Sequence, residues 1–365
     1  MRWLVVTACL LTTAAQAEDM RAFQHGISLV TVSEARKLVF WSSAVGPPGP
    51  DGNWSHDVFV ADAGNPAQHK PIITAPEAQE PASAAISTDG RIMVTMEDGW
   101  NTDSETTQRF GLYNSDLSPV AAYPQLVAEG GHSGHVAAAG RRFVVFYSDG
   151  WVKGGGVDNL GSGQDVMVRL FDSDGRLQRH VAVASGKRDW WPLVASSDRR
   201  ALLVWQRFVK GQTHAKLMMA VLDPASGTLV TAPKSLAELM VRYYTYAVTW
   251  IPATRRFLVT GTTKTGTGFA CLLDEQGRVL TKRTDFAPMV REAWPAVNGT
   301  NVVTLTAPTG AMLLSVAGDR ITPLRQYADP TPWAGIGAAA DLGADGKVRV
   351  YSLSERGLVL REWGE

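Results

Sequence analysis

Cysteine is nearly absent: of two in 365 residues, Cys9 lies in the N-terminal apolar run and Cys271 in GFACLLD. No internal disulfide framework can form between them once the N-terminal run is removed, so stability has to come from packing. Cys271, in a strand-like apolar run, reads as a buried inert thiol. Charge of one sign is also missing. The 35 Lys and Arg balance 35 Asp and Glu, which leaves no electrostatic surplus for collecting phosphates and argues against a nucleic-acid partner. Beyond the N-terminus no run reaches the roughly 18 apolar residues of a membrane span. No G-x-S-x-G, H-E-x-x-H or phosphate-binding loop occurs. What is present is a 45% hydrophobic chain with 35 Gly and 19 Pro among scattered Val, Thr, Trp and Tyr, the composition of many short strands and turns.

The opening MRWLVVTACLLTTAAQA has a basic start at Arg2, an apolar run from Trp3 to Leu11 and Ala15-Gln16-Ala17 as an A-x-A cleavage site. Residues 1–17 are therefore expected to be a signal peptide, and residues 18–365 a single domain, periplasmic or secreted. A lipobox reading of Val6 to Cys9 competes poorly, because its apolar stretch would be only about six residues against the usual 7 to 15.

Self-similarity is the strongest internal signal. Seven runs repeat a basic or turn residue followed by an apolar strand: ARKLVF ending at Phe40, RIMVTM at Met96, RRFVVF at Phe146, RALLVW at Trp205, RRFLVT at Thr260, TNVVTL at Leu305 and GKVRVY at Tyr351. Successive ends are 56, 50, 59, 55, 45 and 46 residues apart. A strand of small residues precedes each run, for example ASAAIS from Ala82, and a third strand follows, in most copies closing on an Asp/Gly turn such as FDSDGR. Weaker fourth strands follow in six copies, for example HVAVA from His180. Such a unit is the sequence form of a propeller blade: small first strands crowd the axis and larger second and third strands fill the widening gap. The fold class expected is all-β, a β-propeller of seven blades with about four antiparallel strands each. A pair of β-sandwiches is the competitor, and ring closure is favoured because it removes exposed edges. The last copy lacks a fourth strand, so residues Met20 to Phe23 are expected to seal the ring. Ser235-Leu-Ala-Glu238, a capping-box spacing before LMVRYY, predicts one short helix.

The grammar P-x-V-A, then hhVhW, a Gly/Asp-rich loop and a strand ending D-x-x-G-x-h resembles the blade repeats of secreted bacterial β-propellers. Its best copy is WWPLVASSDRRALLVWQRFVKGQTHAKLMMAVLDPASGTLV from Trp190. The resemblance spans the mature chain and implies the architecture alone, since that family binds glycans, proteins and small ligands or serves as scaffold. Related sialidase-like propellers carry S-x-D-x-G-x-x-W boxes. None occurs here.

On a propeller plan the loops leading into first strands and those joining second to third strands share one face, the mouth of the axial channel. The first set carries His132 and His135, Arg188 and Trp190, Arg242 and Tyr244, Arg291 and Glu292, and Trp333; the second carries Trp54, Glu97, Asp98, Trp100, Asp149 and Trp151. Long second-to-third loops occur only in the first three copies, a lopsided rim suited to a binding groove. The matched Trp191, Trp294 and Trp333 read first as packing between blades. Trp54, Trp100 and Trp151, each after an acidic-Gly pair, suit a sugar face or a protein hot spot. Ligand-contact candidates are thus Trp54, Trp100, His132, Trp151, Arg188, Trp190, Arg242, Tyr244, Arg291 and Trp333. Glu97, Asp98, Asp149 and Glu292 are the carboxylates that could serve a glycoside hydrolase or lyase, with Arg188, Arg242 and Arg291 able to fork onto a substrate carboxylate. His132 and His135 fall short of a transition-metal set, and NTDSE and DNLGSGQD admit calcium while fitting no EF-hand. The expectation is a monomer that binds a glycan or an extracellular protein at this face with no required cofactor.

Overall fold

The computed structural model describes residues 21–44, 55–99, 106–150, 164–185, 188–209, 212–240, 244–330, 337–354 and 357–364. They form seven four-stranded sheets arranged as an all-β, seven-bladed propeller, with no helix among the described residues. Blade 1 holds β1 (Arg21–Ser33), β2 (Arg36–Ala44), β3 (His56–Asp62) and β4 (His69–Ile73). Blade 2 holds β5 (Gln79–Ile86), β6 (Ile92–Asp98), β7 (Thr107–Tyr113) and β8 (Pro119–Glu129), and blade 3 holds β9 (His132–Ala139), β10 (Arg142–Asp149), β11 (Asp165–Asp172) and β12 (Leu177–Ala184). Blade 4 follows with β13 (Asp189–Ser196), β14 (Ala201–Phe208), β15 (His214–Asp223) and β16 (Thr228–Met240), then blade 5 with β17 (Tyr246–Ile251), β18 (Arg256–Thr262), β19 (Gly268–Leu273) and β20 (Val279–Phe286). The two-residue β21 (Ala293–Trp294) precedes blade 6, made of β22 (Ala296–Asn298), β23 (Asn301–Thr306), β24 (Gly310–Ala317) and β25 (Arg320–Ala328). Blade 7 is β26 (Ala338–Leu342), β27 (Val348–Ser354) and β28 (Gly357–Trp363), with β21 on its inner edge.

The continuous apolar runs of the second strands follow from their position between two neighbouring blades. Side chains alternate across a strand, so each face meets a different blade. In β14, Leu203 and Trp205 pack on Val144 and Phe146 of blade 3, while Leu202 and Val204 pack on Tyr246, Phe257 and Val259 of blade 5. Each of the seven blade junctions has such a core. Small first-strand residues, Ala84, Ala137 and Ala338 to Ala340 among them, sit buried near the axis. Fourth strands run on the rim and alternate toward solvent, as β12 and β16 do.

Ring closure departs from expectation. Residues 21 and 22 pair with Ala44 and Ser43 inside blade 1 and do not complete the last blade; Met20 lies outside the described residues. β21 instead runs parallel to β26, and blades 7 and 1 join by packing of Tyr351, Leu353 and Ala339 on Ile27, Trp41 and Phe59. Tyr351 OH donates to Ala63 O at 3.0 Å, Lys37 pairs with Asp341, and Gly26 N donates to Glu292 Oε2 at 2.9 Å. β1 covers the inner edge of β2, and β21 takes the inner edge of the last blade in its place.

The predicted helix is absent too. Ser235 and Glu238 lie in β16, opposite Met218 and Lys216 of β15, and Glu238 Oε2 takes an ion pair from Lys264 Nζ at 2.5 Å. A ladder to a strand already in place outweighs a capping-box preference worth about 1 kcal/mol.

Candidate functional site

First strands begin, and second strands end, at the same end of the ring: Gln79 lies opposite Asp98, and Asp98 opposite Thr107. Just inside this mouth the first strands of blades 1 to 4 break register, between Ala22 and Ile27, Glu80 and Ser83, His132 and His135, and Trp190 and Leu193. Such bulges add a residue and re-aim side chains. The backbone turns left-handed there at Gly26 (φ 67°), Ser133 (55°) and Trp191 (55°), and at Tyr244 (39°) and Glu292 (52°) leading into the next blades. Only the first of these is glycine, and each of the others costs about 1 to 3 kcal/mol.

The bulges aim aromatic rings across the axis. His132 meets the edge of Trp190 (centroids 4.9 Å), Trp191 packs on Phe208 (5.5 Å) and Tyr244 (6.3 Å), and Tyr244 meets His135 (5.0 Å). Tyr244 OH, from blade 5, donates to Ser133 O of blade 3 at 3.3 Å, and Tyr246 OH donates to Trp191 O. His132, Trp190, Trp191 and Tyr244 are all buried, so together they floor the mouth. Beneath the floor an axial cavity of about 440 Å³ is lined by Leu29, Ile86, Val136, Leu193, Val248 and Trp294.

Glu97, at the end of β6, stands beside this floor and accepts from Ser133 N at 2.6 Å. Burial, opposed by that hydrogen bond and reinforced by the charge of Glu292, pushes its carboxyl up to about 8. The two carboxyls, one from blade 2 and one from the segment just before β21, therefore converge, and both residues stay partly open to solvent. Tyr244 feels them also: burial first, then Glu292, raises its phenol well above the usual value. Burial and the Arg188 charge push the His132 imidazole down to about 3, so it is neutral at physiological pH.

Arg188 is half-buried, with its guanidinium 4.5 Å from the Trp190 ring centroid and 5.3 Å from that of Phe208. Desolvation lowers it to about 10. The adjacent Asp189, fully buried, is committed elsewhere: it accepts from Arg207 Nε and Nη2 at 2.7 and 2.9 Å and from Trp205 Nε1 at 2.6 Å.

Of the sequence candidates, Glu97, Glu292, His132, Trp190, Tyr244 and Arg188 come together. Arg291, next to Glu292, is half-buried at the same end of the ring. Asp98 does not join them: it is buried in an ion pair with Arg109 Nε at 3.0 Å, with Gln79 Nε2 at 3.2 Å and Tyr123 OH as further donors. Asp149 caps its own turn, accepting from Gly150 N at 2.9 Å. Trp54, Trp100, Trp151, Arg242 and Trp333 lie outside the described residues, as do most residues of the two calcium-admitting loops. Among the described residues no three His, Cys, Asp or Glu are grouped to hold a metal. GGHSGH shows a structural use instead: a Cβ on Gly134 would lie 2.5 Å from the Gln108 amide carbon, and Gln108 Oε1 accepts from Gly134 N at 2.9 Å. Gln108, Ser133 and Phe208 escaped the sequence reading; the doubled glycines around Ser133 were the one available signal of close approach.

No protein-family model matches the chain, and no curated protein matches it in sequence. Solved structures match it in shape. The WD40 domain of Toxoplasma gondii coronin superposes with a TM-score of 0.59 at 10% identity, covering 94% of this chain and 83% of that one. The polysaccharide lyase Uly1 gives 0.56 at 10% identity over 93% and 89%, and a chain of the mitotic checkpoint complex 0.54 at 11% over 100% and 97%. Likeness at such identities establishes the propeller fold and no activity.

Proposed function

We propose that this protein is an extracytoplasmic, monomeric propeller that binds a glycan at its channel mouth. One observation carries the reading: partly open Glu97, Glu292 and Arg188, with Arg291 next to Glu292, stand beside a buried aromatic floor at the end of the ring where second-to-third loops emerge. Hydroxyl-rich ligands need both donors and acceptors on a preformed surface, and strained backbone concentrated at one place supports a functional assignment for it. The leader supports export. Residues 18–365 act in this reading as one domain.

A second reading, hydrolysis or lyase cleavage of a polysaccharide, is favoured by the Glu97 carboxyl, which keeps its proton near neutrality beside Glu292 and so resembles a general acid next to a second carboxylate. Uly1 is a lyase on a similar ring, which makes the reading admissible without transferring the activity. Binding and turnover on a glycan panel separate the two, with Glu97→Gln and Glu292→Gln beside the unaltered protein. Binding without turnover in the unaltered protein supports the module. Turnover lost in the variants with binding retained supports the enzyme, and failure to bind any glycan overturns both.

A further inference from the structure

Arg188 presents an uncompensated charge. Its Nε and Nη2 are enclosed, and no hydrogen-bond acceptor meets them among the described residues. The guanidinium is held instead by the faces of Trp190 and Phe208. Asp189, the acid next to it in sequence, is saturated by Arg207 and Trp205, and the neighbouring His132 ring accommodates a charge without offsetting it. A partly desolvated cation with no anion of its own is costly, and a ligand that supplies the anion offsets that cost. Arginine suits the task because it stays charged and stacks on aromatic rings.

We infer that Arg188 is the receptor for a carboxylate of an acidic glycan, a chain containing uronic acid, bound across the mouth. This inference rests on the glycan reading above and narrows it. The mouth carries donors and acceptors together: Arg188 beside the aromatic floor, the Glu97 carboxyl that accepts from Ser133 N, and the adjacent Arg291 and Glu292 at the same end of the ring. A densely charged polyanion such as nucleic acid would meet the carboxyls unfavourably. A uronic-acid chain carries one carboxylate per acidic sugar, separated by neutral hydroxyl-bearing faces, and can bring its charge to the guanidinium edge of Arg188 that is not enclosed while hydroxyls reach Glu97 and Glu292.

The test is calorimetric titration of the full mature chain with oligomers of galacturonate, mannuronate and hyaluronan, each beside its carboxyl-reduced neutral counterpart. At least one acidic oligomer is expected to bind about ten-fold or more tightly than its neutral counterpart, the scale of one charged hydrogen bond. Arg188→Gln should erase that preference by lowering the acidic affinity about ten-fold more than the neutral affinity, and Arg188→Lys should restore part of it. Equal binding of acid and neutral forms overturns this inference and leaves the glycan reading standing, as does a preference that survives in Arg188→Gln. Binding of no oligomer, acidic or neutral, overturns both. If Arg188→Gln fails to fold, the acid-to-neutral ratio of the unaltered protein and of Arg188→Lys decides.

Discussion

At the end of the ring away from the mouth, the chain turns left-handed mostly on glycine: Gly90, Gly140, Gly175, Gly227, Gly277, Gly299, Gly318 and Gly346, with Leu117 and Arg255 as exceptions. Asp side chains close many of those turns, as when Asp172 Oδ1 accepts from Asp174 N and Arg176 N at 3.0 and 2.9 Å. At the mouth the same backbone sign falls on Gly26, Gly99, Gly130, Gly150 and Gly266 and also on Ser133, Trp191, Tyr244 and Glu292. The far end relies mostly on the residue that adopts the conformation freely, whereas the mouth adds four side chains held in the same conformation at a cost in stability. The difference assigns the far end to folding and the mouth to something folding does not require.

The largest expected effect tests whether the mouth is as rigid as this contrast demands. Asp189 anchors the Trp190 bulge through a bidentate pair with Arg207 and a bond from Trp205. Asp189→Ala leaves a guanidinium and an indole N–H without their acceptor, and chemical denaturation should show a loss of about 3 to 5 kcal/mol. A loss below about 1 kcal/mol would mean that the floor is supported from elsewhere.

A second effect tests the mouth by pH. The folded-state value of Glu97, about 8, lies above its ordinary 4.5. Its proton is therefore held more tightly when folded, and its contribution is fully present below pH 4.5 and lost as pH rises through 8, by an amount of order a few kcal/mol. His132 works oppositely: its value falls from 6.5 to about 3, so its contribution is present above 6.5 and lost as pH falls through 3. Stability should rise as pH falls from 8 toward 6.5, pass through a region of opposing slopes between 6.5 and 4.5, and decline below. Glu97→Gln, whose amide oxygen can still accept from Ser133 N, should flatten the alkaline limb in thermal melts across that range. A limb unchanged in the variant would assign the slope to another group.

The ring itself was legible in the sequence because the second strand of every blade serves two junctions, so RALLVW and RRFVVF stay apolar throughout and repeat at a readable interval. The mouth was legible in outline for the same reason, since the repeat register puts Glu97 at the end of one second strand and Arg188 and Glu292 before two first strands. What escaped is set by tertiary contact. The Ser235 to Glu238 segment has a helical signature that a waiting strand overrides. Trp190, Tyr244 and His132 read as ligand-contacting and are buried against one another, and apart from the glycines around Ser133 and at Gly26 the bulges leave no compositional trace.

A smaller effect inverts the comparison directly. A methyl group added at Gly140 (φ 61°) would meet nothing within 4 Å, so Gly140→Ala suffers only the left-handed backbone and should lose about 1 kcal/mol. Ser133→Gly removes the same penalty at the mouth. Its loss of the Oγ contact to His132 Nδ1 at 3.2 Å and its greater unfolded-state entropy offset part of the gain, so the net change should be between zero and about 1 kcal/mol stabilising. Oligosaccharide affinity should fall in Ser133→Gly and stay unchanged in Gly140→Ala. If both variants lose stability equally, the mouth is not strained in the sense argued.

The smallest expected change in stability carries the sharpest functional reading. Gln164 N donates to Asp149 O at 3.0 Å, so the two ends of the loop after β10 are already closed by one backbone hydrogen bond. Replacing residues 151–163 with a two-residue Gly link shortens a connection whose closure cost grows only slowly with length, and Gly150, already left-handed at φ 86°, can begin the tight turn. Blade 3 keeps its junction cores through Phe143, Val145, Val144 and Phe146, which the replacement leaves untouched. The shortened protein should melt within about 1 kcal/mol of the parent and lose most of its oligosaccharide affinity, because the segment rises from the same end of the ring as Glu97 and Arg188. Unchanged affinity would move the ligand to the Arg188, Trp191 and Tyr244 side of the floor alone. Unfolding would show that the segment is part of the core, which would erase the distinction between a mouth built for binding and a far end built for folding.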